Sequence, residues 1–258
     1  MTDFDRKTTE ILGVKVDFFS MDEVVEKITE WIKSDRKKYL VTPNPEIITY
    51  AQKETDFKDI LNQADLAIPD GRGILWAMGI KEVRGKKERV TGSGLMLELC
   101  RLAPKYGWKI GLIGGGGGIG RGEGKKGVAE RAAETLRKQF PGIKIVLAES
   151  GGEIGIKGES EGDEGIRGEK EMDILFVAFG FPKQEYWIYK NKDKFPAKVF
   201  IPVGGAFDYI SGKVKRAPQW MHSCGLEWLY RLIKEPWRIK RQITGAKFFF
   251  WVLKEKLL

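Results

Sequence analysis

Cysteine and histidine are scarce in this 258-residue chain, which contains two cysteines and one histidine. Cys100 and Cys224 lie far apart and match neither a disulfide framework nor a paired-cysteine metal motif, so they indicate ordinary thiols in a reducing compartment. His222 is the single histidine, and the lone Asp-x-Asp pair, Asp3 and Asp5, lies at the N-terminus. The usual ligands of a transition metal are therefore missing, and the sequence predicts no metal site.

Long hydrophobic runs are also absent. No apolar stretch approaches the ~18 residues of a membrane-spanning helix, and the N-terminal MTDFDRKTTE is charged where a signal peptide is apolar. Hydrophobic residues make up 42% of the chain and charged residues 31%, a mixture typical of globular proteins rather than disordered ones. We therefore expect a folded cytoplasmic protein that neither spans a membrane nor is secreted.

Positive charge is concentrated at the C-terminus. Residues 213–258 contain eleven lysines and arginines against three glutamates, so they carry eight of the nine net positive charges. A basic segment of this kind suits nucleic acid, an anionic lipid surface or a phosphorylated substrate. The same segment has a run of aromatic residues, Phe248 to Trp251, with lysines on both sides of it, as in an amphipathic helix at a lipid interface. A core helix or a dimer helix is the alternative interpretation.

Strand-like and helix-like segments alternate along the first four-fifths of the chain. The first predicted strand is ILGVKVDFF at 11–19, and the capping box that begins at Ser20 opens an amphipathic helix. Asn44 is predicted to cap the next helix, with Pro45 in its first turn. This pattern predicts an α/β fold with a Rossmann-like, open, mostly parallel sheet covered by helices on both faces. We place the α/β core at residues 1–212 and a helical C-terminal appendage at 213–258.

A glycine-rich loop follows the predicted strand WKIGLIG and precedes a helix. Gly115, Gly117 and Gly120 satisfy G-x-G-x-x-G, and Glu149 ends the next strand, where dinucleotide-binding folds place a ribose-binding acid. An NAD-dependent oxidoreductase is therefore an alternative function. Residues 151–171 alternate glycine with charged residues and are predicted to form a mobile loop.

Asp70 is the candidate catalytic carboxylate. It follows a short predicted strand in the sequence Pro-Asp-Gly, at the strand edge where ligands bind in open α/β sheets. Gly71 and Gly73 leave room for a substrate to approach. An aspartate that only closes the turn is the alternative.

Arg231, Arg238 and Arg241 are candidates for binding a diphosphate. Their spacing of seven and three residues places them on one helical face if the helix continues through Pro236. If the substrate is a sugar nucleotide, guanidinium groups there would neutralise its departing diphosphate without a metal ion. A solvated basic face is the alternative interpretation.

Seven short motifs occur in order along the chain, which over about residues 11–245 resembles the WecG/TagA/CpsF family of bacterial glycosyltransferases. They are T-P-N at 42–44, P-D-G-x-G at 69–73, E-R-V-T-G at 88–92, F-G-F-P-K-Q-E at 179–185, V-G-G-A-F-D at 203–208, R-A-P at 216–218 and G-L-E-W-L-Y-R-L at 225–232. The chain departs from the family pattern at Gly94, where the family usually has an aspartate.

The resemblance implies an inverting, metal-independent transfer of N-acetylmannosamine from its UDP derivative to undecaprenyl-diphosphate-linked N-acetylglucosamine, a step in making the wall teichoic acid linkage unit. It also leaves open a related transferase that moves another UDP-sugar for capsule or exopolysaccharide. The implied general base is Asp70. The residues implied to bind the substrates are Thr42, Asn44, Arg89, Gln184 and Asp208, together with Arg231, Arg238 and Arg241 from the appendage.

The resemblance further implies where the enzyme works. The appendage would close over the site and dock on the inner face of the cell membrane, where the lipid of the acceptor is anchored. We therefore expect a peripheral membrane enzyme with an anionic membrane surface as a partner and no nucleic acid. A second copy of the chain is a further predicted partner, because apolar tail helices associate when no lipid covers them.

Overall fold

The computed structural model describes residues 8–34, 36–79, 90–116, 126–152, 154–159, 170–214, 221, 227–234, 236 and 239–257. The strands are β1 Thr8–Ile11, β2 Val14–Asp17, β3 Lys38–Val41, β4 Leu66–Ala67, β5 Lys109–Gly114, β6 Lys144–Glu149, β7 Met172–Ala178 and β8 Ala197–Pro202. The helices are α1 Met21–Lys33, α2 Pro45–Ala51, α3 Thr55–Asn62, α4 Arg72–Ala77, α5 Gly92–Tyr106, α6 Val128–Gln139, α7 Lys183–Asn191, α8 Ala206–Ile210, α9 Glu227–Lys234 and α10 Ile239–Leu257.

The chain divides into two compact units. The first unit contains residues 1–20, 42–91 and 215–258, and the second contains residues 21–41 and 92–214. Each unit is assembled from segments that are distant in sequence. The division predicted at residue 212 stays a prediction.

The second unit is built on a parallel sheet, as the alternation of strands and helices predicted. Its strands run in the order β3-β8-β7-β5-β6, and each neighbouring pair is parallel. The central strands β5, β7 and β8 are apolar along nearly their whole length, which is typical of parallel strands covered by helices. Phe176 and Phe200 are fully buried at the centre of this sheet.

Helices α1, α5, α6 and α7 flank the sheet of the second unit. In α6, small residues and one leucine recur on the buried face, including Ala129, Ala132 and Leu136, while Arg137 and Lys138 occupy the last turn. An apolar stripe at this spacing buries one side of a helix against a sheet. The α/β, Rossmann-like fold predicted from the sequence is confirmed.

The predicted first strand over residues 11–19 is wrong, because that segment contains a turn. Leu12 and Gly13 both have positive φ, +51° and +73°, and they connect β1 to an antiparallel β2. Two consecutive left-handed residues reverse the chain in a tight hairpin. The alternation of apolar residues predicted extended structure correctly but contained no information about this reversal.

In the first unit, the loop before α2 has the predicted cap. Asn44 Oδ1 accepts a hydrogen bond from the Ile47 backbone N–H at 2.9 Å, and Pro45 is the first residue of the helix. This bond satisfies one of the amide groups that the first helical turn leaves without a partner. The predicted cap is confirmed, and it fixes the backbone that follows Thr42.

The C-terminal helix α10 packs against α2 and α4 within the first unit. Phe248 and Val252 on its inner face are completely buried. The appendage helix is therefore part of the hydrophobic core of this unit, through the face that contains these two side chains.

The three tail arginines were expected on one helical face only if a helix continued through Pro236, and the structure does not meet that condition. Helix α9 ends at Lys234 and α10 begins at Ile239. Proline lacks a backbone N–H and its ring collides with the carbonyl four residues earlier, so a helix does not run straight through it. Arg231 and Arg241 consequently belong to two different helices. Within the described part of the chain, no helix is both long and apolar enough to cross a membrane.

Cys100 gives a prediction about pH. Burial raises the pKa of its thiol to about 12 from an ordinary value of 9.0. Above about pH 9 the unfolded chain ionises this thiol and the folded chain does not, so the stability that it contributes at neutral pH is lost as the pH rises towards 12. In a Cys224→Ser background, a thiol reagent at pH 8 should modify Cys100 only after denaturant is added. Rapid modification of the folded protein would contradict this burial.

Candidate functional site

Asp70 lies in a turn of the first unit, just after β4. Its backbone N–H donates a hydrogen bond to the carbonyl oxygen of Pro43 at 2.9 Å. This bond places the Asp70 turn directly against the loop of Thr42 and Asn44. Asp70 is half-buried. The structure therefore brings together three of the residues that the sequence predicted to bind or transform a substrate.

Thr42 and Asn44 lie at the two ends of one short loop. Thr42 is almost buried, with 8% of its surface exposed, and Asn44 is half-buried. The side-chain oxygen of Asn44 caps α2. The side-chain nitrogen of Asn44 is therefore the atom that would donate a hydrogen bond to a ligand. Their roles in binding stay predictions.

Two glycines shape the backbone beside Asp70. Gly71 has φ +95° and ψ 154°, a region of backbone conformation that is almost restricted to glycine. Gly73 lies so close to its neighbours that a Cβ atom would come within 2.7 Å of Pro45 Cγ and 3.1 Å of Phe249 Cζ. Gly71 is required because of its backbone conformation, and Gly73 is required because there is no space for a side chain at its position.

Alanine at either glycine is expected to lower turnover by displacing Asp70. Gly71→Ala has space for its methyl group, but the backbone strain costs about 1–3 kcal/mol. Gly73→Ala forces Pro45 or Phe249 to move. Gly79→Ala is the matched control, because Gly79 has φ +76° with open space around it at the far end of α4. Unfolding free energy and kcat are measured for all three. Equal loss of kcat in the control would contradict a local effect on Asp70.

Asp17 is a residue that the sequence did not identify. It is completely buried on β2, where its carboxylate accepts hydrogen bonds from Thr8 Oγ1 at 2.7 Å and from the Ala67 backbone N–H at 2.9 Å. The second bond holds β4 three residues before Asp70. An aspartate in an otherwise apolar run, VDFF, was the only signal in the sequence, and it did not name the partner.

Helix α10 presents a second apolar stripe on the side opposite its buried one. The stripe recurs at helical spacing, and its members are well exposed: Ile239, Ile243, Phe250 and Leu253. Phe250 is the most exposed of them, at 67%. Lys247 and Lys254 are also exposed and lie along the side of this stripe. We call these six residues the outer face of α10.

An aromatic contact joins α10 to the helix that follows Asp70. The rings of Trp76 and Phe249 lie 5.3 Å apart, and Lys256 Nζ is 5.8 Å from the centre of the Trp76 ring. Phe249 also approaches Gly73. The appendage helix therefore contacts α4, the helix that begins two residues after Asp70, through an aromatic side chain, in addition to packing on α2.

In the second unit, the loops that follow neighbouring parallel strands meet at the carboxyl edge of the sheet. The Gly115 N–H after β5 donates to the Ala178 carbonyl at the end of β7, at 2.9 Å. The Val203 N–H after β8 donates to the Val177 carbonyl, also at 2.9 Å. Ligands of open parallel sheets bind outside this edge. Gln184 and Asp208 both lie in elements that begin here.

Gln184 is buried in the first turn of α7, and its side chain bridges two loops. Its Oε1 accepts a hydrogen bond from the Gly204 backbone N–H at 3.0 Å, and its Nε2 donates to Glu185 Oε1 at 2.8 Å. Glu185 is 1% exposed, and it is not among the site residues predicted from the sequence. Its place in the motif F-G-F-P-K-Q-E was visible, but its burial was not.

Asp208 lies in α8, where its Oδ1 is 3.2 Å from Lys213 Nζ. Both side chains are about one-third exposed. The lysine partly neutralises this carboxylate. A contact between Asp208 and a nucleotide stays a prediction.

Several predicted residues lie outside the described part of the chain. These are Arg89, Arg238, and Gly117 and Gly120 of the glycine-rich loop. Arg231 and Arg241 are placed in α9 and α10 by their backbones. Among the described residues, no group of three or more histidine, cysteine, aspartate or glutamate side chains could hold a metal ion.

Comparison with known proteins identifies the family of this chain. Residues 9–258 match the profile of the glycosyl transferase WecG/TagA/CpsF family. Three similar proteins are each named N-acetylglucosaminyldiphosphoundecaprenol N-acetyl-beta-D-mannosaminyltransferase. The protein of Bacillus subtilis strain 168 is 35% identical over 83% of this chain and 78% of its own length. The protein of Bacillus spizizenii is 31% identical over 88% of this chain and 83% of its own length. The protein of Staphylococcus aureus strain MRSA252 is 31% identical over 99% of this chain and 97% of its own length. The chain is a member of the WecG/TagA/CpsF family of glycosyltransferases.

Proposed function

We propose that this enzyme transfers N-acetylmannosamine from UDP-N-acetylmannosamine to undecaprenyl-diphosphate-linked N-acetylglucosamine. The observation that carries the proposal is the similarity to N-acetylmannosaminyltransferases over nearly the whole chain, at 30% identity or more. The candidate base fits it, since Asp70 is half-buried on a loop hydrogen-bonded to the loop of Thr42 and Asn44. A related transferase for another UDP-sugar is the second candidate, because the family profile alone does not specify the sugar.

In the proposed reaction, Asp70 acts as the general base. Its carboxylate takes the proton from the acceptor hydroxyl while that oxygen attacks the anomeric carbon of the donor sugar. The bond from that carbon to the UDP oxygen breaks, and UDP leaves with the electron pair. Attack from the face opposite UDP inverts the anomeric centre. Thr42, Asn44 and Arg89 position the substrates.

The donor diphosphate gains negative charge as UDP departs. We assign its neutralisation to Arg231, Arg238 and Arg241 rather than to a metal ion, because guanidinium groups form strong paired hydrogen bonds with phosphate oxygens. We assign Gln184 and Asp208 to the part of the site that binds the donor nucleotide. The concentration of positive charge in residues 213–258 supports this assignment.

We further propose that the outer face of α10 binds the anionic surface of the membrane that contains the acceptor lipid. Exposed isoleucine, phenylalanine and leucine side chains with lysines beside them are the composition of an interfacial helix. Each lysine near an anionic surface adds about 1 kcal/mol of attraction. Phe248 and Val252 on the inner face anchor this helix to α2 and α4.

A turnover assay tests the proposed function. The enzyme is supplied with UDP-N-acetylmannosamine and a lipid-diphosphate N-acetylglucosamine acceptor, with and without a chelator of divalent cations, and UDP release is measured. We expect acceptor-dependent release that the chelator does not reduce. Faster release from UDP-N-acetylglucosamine or another UDP-sugar would support the related transferase.

A further inference from the structure

Two adjacent polar side chains are buried at the start of α7 in the second unit. Gln184 is 4% exposed and Glu185 is 1% exposed. Burying an amide and a carboxyl group away from water is unfavourable unless both form hydrogen bonds. Both residues lie next to the carboxyl edge of the parallel sheet, where ligands bind, so their hydrogen bonds can shape a ligand site.

The hydrogen bonds of Gln184 connect the loops that follow two neighbouring strands. Its backbone N–H donates to the Gly180 carbonyl, in the loop after β7, at 3.1 Å. Its side-chain oxygen accepts from the Gly204 N–H, in the turn after β8, at 3.0 Å. Gly204 has φ +52°, a left-handed conformation within that turn. Gln184 therefore ties the Gly204 turn to the end of β7.

Glu185 fixes the orientation of the Gln184 amide. The Gly204 N–H can only donate, so it requires the oxygen of Gln184. The nitrogen of Gln184 then donates to Glu185 Oε1 at 2.8 Å. The two hydrogen bonds of the Gln184 side chain therefore each have one possible direction: its nitrogen donates to Glu185, and its oxygen accepts from Gly204.

We propose that Gln184 and Glu185 form a positioning pair that holds the Val203–Gly205 turn in the shape that receives the donor nucleotide. Gln184 then acts through the turn and is not in contact with the reacting atoms, since only 4% of its surface is exposed to a ligand. This inference rests on the proposed function, because it concerns the donor side of the same reaction. It adds Glu185 as a residue on which donor binding depends.

Two single variants and their combination test the pair. Glu185→Gln keeps an oxygen acceptor for Gln184 but removes the charge, so we expect the donor KM to rise about fivefold.

Gln184→Glu places two carboxyl groups against each other. Like charges raise the pKa of such a pair, so the two groups share a proton at low pH and repel one another as the pH rises. We expect its donor KM to rise about 30-fold or more at alkaline pH and less at acidic pH.

The double variant Gln184→Glu with Glu185→Gln reverses the pair. The new amide at position 185 donates to the new carboxylate at 184, and the second carboxylate oxygen accepts from the Gly204 N–H. We expect the donor KM to return to within about fivefold of the wild-type value, with the pH dependence of the single variant removed. The affinity for UDP, measured by calorimetry, should recover in parallel.

Direct contact between Gln184 and the donor predicts a different result. A carboxylate at position 184 would repel the nucleotide diphosphate in both the single and the double variant, and no rescue would occur. Absence of rescue, with all variants folded, therefore overturns the positioning pair. Glu98→Gln is the matched control, because Glu98 pairs with Arg101 on the exposed surface of α5 in the same unit. Wild-type turnover is measured first, so that failure of the proposed function is distinguished from failure of this inference.

Discussion

Replacement of Asp70 with asparagine is expected to lower kcat by about 10²- to 10⁴-fold, the usual contribution of a general base. Asparagine has the size of aspartate but cannot take a proton from the acceptor hydroxyl. The backbone bond from residue 70 to the Pro43 carbonyl does not involve the side chain, so the loop should keep its position. The KM values of donor and acceptor should therefore change little, because the lost interaction belongs to the transition state.

The matched control is Asp59→Asn, which makes the same chemical change at an exposed position of α3 in the same unit. Its kcat should equal that of the wild type. Release of UDP is measured under single-turnover and steady-state conditions for both variants. If Asp70→Asn releases UDP at an undiminished rate in the presence of acceptor, Asp70 is not the base, and its role is to close the turn.

Removal of the apolar side chains from the outer face of α10 should detach the enzyme from membranes. In the double variant Phe250→Ser with Leu253→Ser, two exposed apolar groups can no longer enter the lipid interface. Their burial contributes about 2–3 kcal/mol together when partial insertion is allowed for, so vesicle binding should weaken roughly 30- to 150-fold. Turnover of a long-chain acceptor embedded in vesicles should fall much more than turnover of a short-chain acceptor in detergent-free solution.

Separate variants distinguish the contributions of charge and packing to this binding. Substitution of Lys247 and Lys254 by glutamine should weaken binding to anionic vesicles by about 30-fold, at about 1 kcal/mol for each lysine, and leave binding to neutral vesicles unchanged. Phe248→Ala acts on the buried face instead and should destabilise the fold by about 3–5 kcal/mol. Vesicle sedimentation that is equal for the wild type and the outer-face variants would refute the membrane assignment.

The local signals in the sequence predicted the start of α2 and the parallel strands correctly because they depend on short stretches of chain. Asn44 and Pro45 specify a helix start through one hydrogen bond and one fixed φ angle, and the structure has that start. The apolar runs of β5, β7 and β8 specify parallel strands covered by helices. In the turn after β4, Asp70 is followed by Gly71, whose positive φ angle requires a glycine.

The errors and omissions concern partners that are distant in sequence or choices that a pattern does not encode. The reversal at Leu12 and Gly13 leaves the apolar alternation almost unchanged, so a hairpin and a single long strand have the same pattern. Asp17 is joined to Ala67, fifty residues away, through a buried bond. Nothing near Asp17 in the sequence indicates that partner.

The sequence by itself determined the α/β class, the cap of α2, the family and the residue types of the candidate site, because periodicity, turn chemistry and ordered motifs are properties of the chain alone. The tertiary structure decided which atoms face each other. It placed the Asp70 amide on the Pro43 carbonyl, joined Gln184 to Gly204 and Glu185, and divided α10 into a buried face and an exposed one. Such pairings arise from packing between distant segments, which compete for the same space and the same hydrogen-bond partners.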